Sequence, residues 1–207
     1  MKVPQNIFSH FPDLLEISKN LPDFTVFYNG PKCGASAPDH FHFQAGNTGF
    51  LPFEKEFESL ERQYSEILFQ NENSKIVTVE NYFRRFVAIV SSEKDFITKK
   101  FEFVYHQLES DKNEEPMMNI LCNFIENKWR VIIFPRNIQH PSHFFKTGEQ
   151  RIIVGPATVE LGGILILPRE EDFLKITAKE IEEIYTEVTI QPDKFEKLKT
   201  EIKKLEN

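Results

Sequence analysis

The chain has 207 residues, 40% hydrophobic and 28% charged, with a net charge of −7. These are values of a folded globular chain, and the acidic balance excludes a protein that coats nucleic acid through a basic surface. Two cysteines, Cys33 and Cys122, exclude a disulfide scaffold and a four-cysteine zinc site within the chain. No apolar run reaches the roughly 18 residues of a membrane span. Ser9, His10, Asp13 and Glu16 interrupt the apolar positions of the first twenty residues, so a signal peptide is not expected and the cytoplasm is the expected compartment. Phenylalanine occurs 21 times, and such an aromatic load suits sheets with a buried face.

The first stretch runs from residue 1 to about 70. Phe8, Phe11, Leu14, Leu15 and Ile17 recur at helical spacing and predict a helix over Phe8 to Asn20, stopped by Pro22. Phe24 to Asn29 is a predicted strand, Gly30 to Pro38 a loop with two glycines and two prolines, and Phe41 to Ala45 a second strand. Phe53 to Phe69 has an acidic, helical pattern. In the second stretch, residues 75–190, Lys75 to Glu80 and Arg84 to Ser91 are predicted strands and Glu93 to Glu109 a helix. A polar loop follows over Ser110 to Glu115. Met118 to Ile125 and Trp129 to Phe134 are apolar runs joined by Glu126-Asn127-Lys128, a hairpin signal. Arg136 to Gln150 forms a long polar loop, and Ile152 to Val154 and Gly163 to Leu167 are further predicted strands. Thr177 with Glu180 makes a capping box for a helix to about Val188. A last helix over Asp193 to Leu205, within residues 191–207, carries the stripe Phe195, Leu198, Ile202 and Leu205. That stripe packs on the domain or receives a partner helix. The plan is α+β with mainly antiparallel sheet and flanking helices.

The segment from Tyr28 to Gln44 carries the chemistry. In an extended strand His40, His42 and Gln44 share one face and Phe41 and Phe43 the other, with successive same-face residues about 6.7 Å apart. Just upstream, Gly30, Lys32, Gly34 and Ser36 form a loop in which backbone N–H groups, a hydroxyl and a point charge can meet an anion. An anion cradle beside two imidazoles is what group transfer through a histidine requires. The plain alternative is a half-buried strand with polar decoration. The adjoining Gly/Lys/Ser loop favours the anion site.

The run Gly34-Ala-Ser-Ala-Pro-Asp-His-Phe-His-Phe-Gln44 resembles the active-site strand of the histidine-triad (HIT-like) superfamily. Its HxHxQ form resembles the transferase branch, which holds galactose-1-phosphate uridylyltransferase, diadenosine tetraphosphate phosphorylase and GDP-glucose phosphorylase; the hydrolase branch carries a third His. Met118 to Leu121, Lys128 to Arg136 and Gly162 to Arg169 are similar to the second half of the phosphorylases. The resemblance implies a HIT-like fold of two half-domains, residues 1–70 and 75–190. It implies a nucleotidyltransferase or phosphorylase acting on a nucleoside diphosphate-sugar or dinucleoside polyphosphate, with inorganic phosphate or a sugar phosphate as acceptor and no cofactor. His42 would be the nucleophile and Gln44 would bond the phosphate oxygens. Gly34, Ser36, Lys32 and Arg136 would contact phosphate. His40 would orient the site, since no cysteine pair lies upstream to complete a metal centre.

HIT-like domains place at least two strands before the helix at Phe8 to Asn20, so the first half is expected to be shortened at its start. An open sheet edge then favours a homodimer, or dependence on an upstream fragment. Two other readings stay open: a metal-binding protein using His40 and His42, and a nucleotide-binding module without catalysis. Among the remaining residues, Cys33 is expected as a loop filler, Trp129 in the core, and His140 and His143 as solvated loop residues or phosphate contacts. Glu160 and Arg169 to Asp172 are expected on the solvated surface.

Overall fold

The computed structural model describes residues 5–108, 110 and 114–206. It contains one antiparallel seven-stranded sheet in the order β2-β1-β6-β7-β5-β4-β3. The strands are β1 (Phe24–Asn29), β2 (Gln44–Asn47), β3 (Ser65–Gln70), β4 (Ser74–Val79), β5 (Phe86–Ser91), β6 (Met118–Ile125) and β7 (Lys128–Pro135). The helices are α1 (Phe11–Asn20), α2 (Pro52–Tyr64), α3 (Lys94–Gln107), α4 (Ser142–Phe145), α5 (Thr158–Leu161), α6 (Glu170–Lys175), α7 (Ala178–Val188) and α8 (Pro192–Glu206). Strands of the first and second stretches meet in this one sheet, where β1 pairs with β6.

Helices cover both faces. Phe11, Leu14 and Leu15 of α1, Ile97, Phe101 and Val104 of α3, and Phe195, Leu198 and Ile202 of α8 pack on Val26, Tyr28, Val87, Ile89, Ile120 and Val131. On the opposite face Phe53, Phe57 and Leu60 of α2, Leu161 of α5, and Tyr185 and Val188 of α7 pack on Phe27, Phe86, Ala88, Leu121, Ile132 and Phe134. The two sets alternate along each strand. This is why β6 and β7 are almost continuously apolar, as expected of strands buried on both sides. The α8 stripe is spent inside the molecule: Phe195, Leu198 and Ile202 are buried, and Leu205 is exposed.

Several elements match their sequence signals. The β6–β7 hairpin turns through Glu126 (φ 52°) and Asn127 (φ 61°), with Ile125 opposite Lys128. Two consecutive positive φ values give a primed turn, whose twist suits the flanking strands. Thr177 caps α7: its hydroxyl accepts from the Glu180 N–H while the Glu180 carboxylate accepts from the Thr177 N–H. Trp129 is in the core and donates its indole N–H to Leu15 O at 2.9 Å.

Other elements differ. The helix over Phe53 to Phe69 stops at Tyr64, and the chain turns into the edge strand β3. Asn71 Oδ1 accepts from the N–H groups of Asn73 and Ser74, and this side-chain turn sets up the β3–β4 hairpin against the helical pattern. Ile152 to Val154 is no strand: Ile152 N–H donates to His143 O and Ile153 N–H to the Asp172 carboxylate. Gly163 to Leu167 is irregular too, with Gly163 at φ 103°. Asp172 is buried, not solvated. Burial alone would raise its carboxyl, but Arg169, the Ile153 N–H and Lys175 outweigh that and hold it well below the usual carboxylate range. Glu160 is buried as well. The predicted helix Glu93 to Glu109 is α3, and residue 109 and residues 111–113 of the predicted loop lie outside the described residues. Among the described residues no helix is long and apolar enough to cross a membrane.

Candidate active site

The site forms where β1 ends, β6 begins and β7 ends. Pro31 to Gly34 turn the chain out of β1, closed by Cys33 N–H donating to Gly30 O at 2.8 Å. Gly34 has φ +88°, and a Cβ placed there would come within 2.4 Å of Ala157 Cβ. Only glycine fits both that conformation and that approach. Cys33 is fully buried, and burial pushes its thiol up to about 11. It is the expected filler, and burial disfavours its thiolate form.

Only the last residue of the HxHxQ segment lies in the sheet, and His40 closes a turn by donating its N–H to Ala37 O at 3.3 Å. β2 begins at Gln44, opposite Phe27, so the predicted strand over Phe41 to Ala45 starts three residues late. Continuing that register would set Asn29 opposite His42. The Gln5 side-chain amide stands between them instead. It donates from Nε2 to Asn29 O (3.0 Å) and to His42 O (3.2 Å), and Oε1 accepts from His42 N–H at 2.9 Å.

The faces divide only in part as expected: His40 and Gln44 are exposed, but His42 is half-buried, as Phe41 and Phe43 are. Phe41 and Phe43 are partly buried against the core and lie 6.0 and 6.2 Å from the Tyr28 ring, with His10 stacked on Phe41 at 4.1 Å. The His40 and His42 rings lie side by side, 5.3 Å between centroids. His40 is exposed, with Nδ1 3.4 Å from Asp39.

Two hydrogen bonds decide what these groups can do. His42 Nδ1 lies 3.1 Å from His40 O. A carbonyl only accepts, so Nδ1 carries the proton and the lone pair is on Nε2. Gln44 Oε1 accepts from Asn29 Nδ2 at 3.0 Å. The Asn29 amide cannot turn round, because its Oδ1 accepts from Thr158 N–H (2.9 Å) and Asn119 Nδ2 (2.7 Å). The Gln44 amide therefore presents its NH₂ away from Asn29.

Asn119 is buried and links this relay to Arg136, whose Nη1 donates to Asn119 Oδ1 at 2.5 Å. The remaining Arg136 donors go to the carbonyls of Val188, Pro156, Ile138 and Gln139. Arg136 is buried with all five N–H groups engaged, so it supports the relay and has no donor left for a phosphate.

Lys32 and Ser36 are exposed on the loop, and Lys32 pairs with Glu114 at 2.6 Å. Beside the loop is a cleft of about 270 Å³, lined by Gln5, Asn6, Pro31, Lys32, Pro38 and Glu115 among others. Glu115 accepts from Tyr28 OH (2.9 Å) and Ile7 N–H (2.6 Å). Burial pushes its carboxyl up to about 7, against the two hydrogen bonds. Of the polar loop's histidines His143 is buried, not solvated, 3.5 Å from Glu183, and His140 is half-buried and stacks on Phe144 at 4.2 Å. Covering the Phe144 ring and packing α4 against α7 draws both rings inward. No group of three or more His, Cys, Asp or Glu side chains suited to a metal ion occurs among the described residues.

Sequence reasoning missed Gln5, Asn29, Asn119, Thr158 and Glu115. Asn119 had a visible signal, a polar residue inside an apolar strand. Gln5 had none.

The fold is that of the HIT-like phosphorylases and transferases. It superposes on yeast Ap4A phosphorylase Apa2 with a TM-score of 0.52 at 15% identity, covering 92% of this chain and 63% of that one. Against the same enzyme in complex with AMP the TM-score is 0.55 at 16% identity, over 86% and 62%. The chain thus spans a little under two thirds of these structures. A family model described as "GDPGP1-like, C-terminal domain" matches residues 58–207, and the chain belongs to that family. Residues 1–47 match a domain of unknown function, DUF4922. No curated protein matches the chain.

Proposed function

We propose that this chain carries the transfer centre of a nucleotide phosphorylase, with His42 as a covalent nucleophile. His42 Nε2 attacks the α-phosphorus of a nucleoside diphosphate-sugar or dinucleoside polyphosphate. A P–N bond forms and the P–O bond to the leaving group breaks, releasing a sugar phosphate from the first substrate or a nucleoside polyphosphate from the second. The ring then carries positive charge, which the Nδ1–H bond to His40 O stabilises. The Gln44 NH₂ donates to a non-bridging oxygen, and the Gly34, Ser36 and Lys32 loop meets the remaining phosphates. An oxygen of inorganic phosphate, or of a sugar phosphate, next attacks the same phosphorus. The P–N bond breaks and His42 is regenerated. His40 supplies the carbonyl that orients the nucleophile.

The observation that carries this reading is the His42 Nδ1 to His40 O bond, which leaves the lone pair on Nε2. The family membership and the fold shared with Ap4A phosphorylase support it. The test is release of nucleoside diphosphate from a panel of nucleotide-sugars and dinucleoside polyphosphates, with and without inorganic phosphate. Phosphate-dependent turnover in the wild type that is lost in His42→Ala is expected. Equal turnover in both would overturn the proposal.

A further inference from the structure

We infer that Gln5 is a positioning residue for the nucleophile: its side-chain amide takes the place of a missing strand partner and fixes the backbone from which the His42 ring is aimed. The inference rests on the reading of His42 given above.

Gln5 is 2% exposed. Its amide makes three hydrogen bonds, two of them to the N–H and C=O of His42. A primary amide has the donor and acceptor geometry of a peptide group, so it can stand in for one rung of a ladder. The rung it supplies is at the point where β1 and β2 part, between Asn29 and His42. Asn29 O is one end of the bridge, and the Asn29 side chain orients Gln44. One buried amide thus ties together the backbones of the residue that attacks and the residue that orients the phosphate donor. Gln5 is in turn held by its own N–H to Pro38 O at 3.3 Å and by the Ile7 N–H bond to Glu115 two residues on.

The His42 Nδ1–H bond to His40 O depends on the local backbone, because acceptor and ring are two residues apart. Without the clamp the segment from Asp39 to Phe43 has no sheet partner, and the ring can rotate away from the carbonyl. Nδ1 and Nε2 then compete for the proton, and the fraction with the lone pair on Nε2 falls. Misplacement of about 1 Å in a reacting group costs on the order of 100-fold in rate.

The experiment uses the whole 207-residue chain labelled with ¹⁵N and ¹³C, at a pH where His42 is neutral. In the wild type, a through-hydrogen-bond coupling from His42 ¹⁵N to Gln5 ¹³Cδ and a ring protonated at Nδ1 are expected. In Gln5→Met, which keeps volume but loses all three bonds, His42 should become a mixture of tautomers. The kcat should fall about 10- to 100-fold with little change in KM. Gln5→Asn, one methylene too short to span both strands, should show the same signature if the Met variant does not fold. Absence of the coupling, or an unchanged tautomer and kcat in a folded variant, would overturn the inference. The tautomer measurement needs no turnover. A wild type that turns nothing over would therefore refute the proposed function while the role of Gln5 is still judged.

Discussion

Replacing Asn29 by Asp tests the relay that orients Gln44. The exchange is isosteric, and the carboxylate oxygen in place of Asn29 Oδ1 can still accept from Thr158 N–H and Asn119 Nδ2. The second oxygen, where Nδ2 stood, can no longer donate to Gln44 Oε1. The Gln44 amide must flip to place its NH₂ on the new carboxylate, which turns Oε1 toward the phosphate. The nucleotidyl transfer step then loses one hydrogen bond to a charged group, worth about 1.5–3 kcal/mol. At about 1.4 kcal/mol per tenfold, the rate of nucleotidyl-enzyme formation should fall about 10- to 150-fold. Rapid-quench measurement with labelled nucleotide reads this step directly. The substitution also adds a negative charge near the phosphate, so the comparison is made in a Gln44→Ala background. There, most of the loss from Asn29→Asp should vanish. A full loss in that background, or no loss in the wild-type one, would refute the relay.

Three further outcomes are expected. Glu115 has its carboxyl raised from 4.5 to about 7 by burial, so the folded state holds a proton that the unfolded state has lost between those values. The stability this contributes is present at low pH and is lost as pH rises to about 7. Glu115→Gln should therefore gain stability relative to wild type over that window, by at most about 3 kcal/mol in denaturant titrations; a difference flat with pH would contradict the assignment. At the β6–β7 turn, Glu126→Gly should stabilise by up to about 1 kcal/mol and Glu126→Val should cost about 1–2 kcal/mol, because φ there is +52°. Urea midpoints moving the opposite way would exclude the primed turn. Leu198→Ala should cost about 2–5 kcal/mol, since Leu198 is buried between α8 and the core; a cost under about 1 kcal/mol would mean that α8 does not pack on the domain.

The sheet was legible where local chemistry and burial agree. Glu126-Asn127 can adopt positive φ, and the two apolar runs beside it have no other use than as central strands. Thr177 and Glu180 state the start of α7 outright. The exposure of His40 beside half-buried Phe41 and Phe43 followed from alternation. The start of β2 did not, because the side chain of a residue 37 positions away fills the place of a strand partner. Arg136 at the end of an apolar strand looked available to a ligand. Its burial depends on the nearby carbonyls of Ile138 and Gln139 and also on Val188, Pro156 and Asn119, which lie 17 to 52 positions away. The helical spacing of Phe53, Phe57 and Leu60 carries on past Tyr64, and only the Asn71 turn and pairing with β4 end it. The relay from Arg136 to Gln44 joins residues up to 90 positions apart through side chains, and no spacing rule encodes that.

In the proposed reaction His42 Nε2 becomes bonded to phosphorus. Incubating the chain with a reactive nucleotide substrate in the absence of acceptor phosphate, then denaturing it and mapping peptides by mass spectrometry, tests this directly. One nucleotidyl group on His42 is expected, stable to alkali, lost in acid, removed on adding phosphate and absent in His42→Ala. A label on another residue, or steady turnover with no adduct and full activity in His42→Ala, would contradict it.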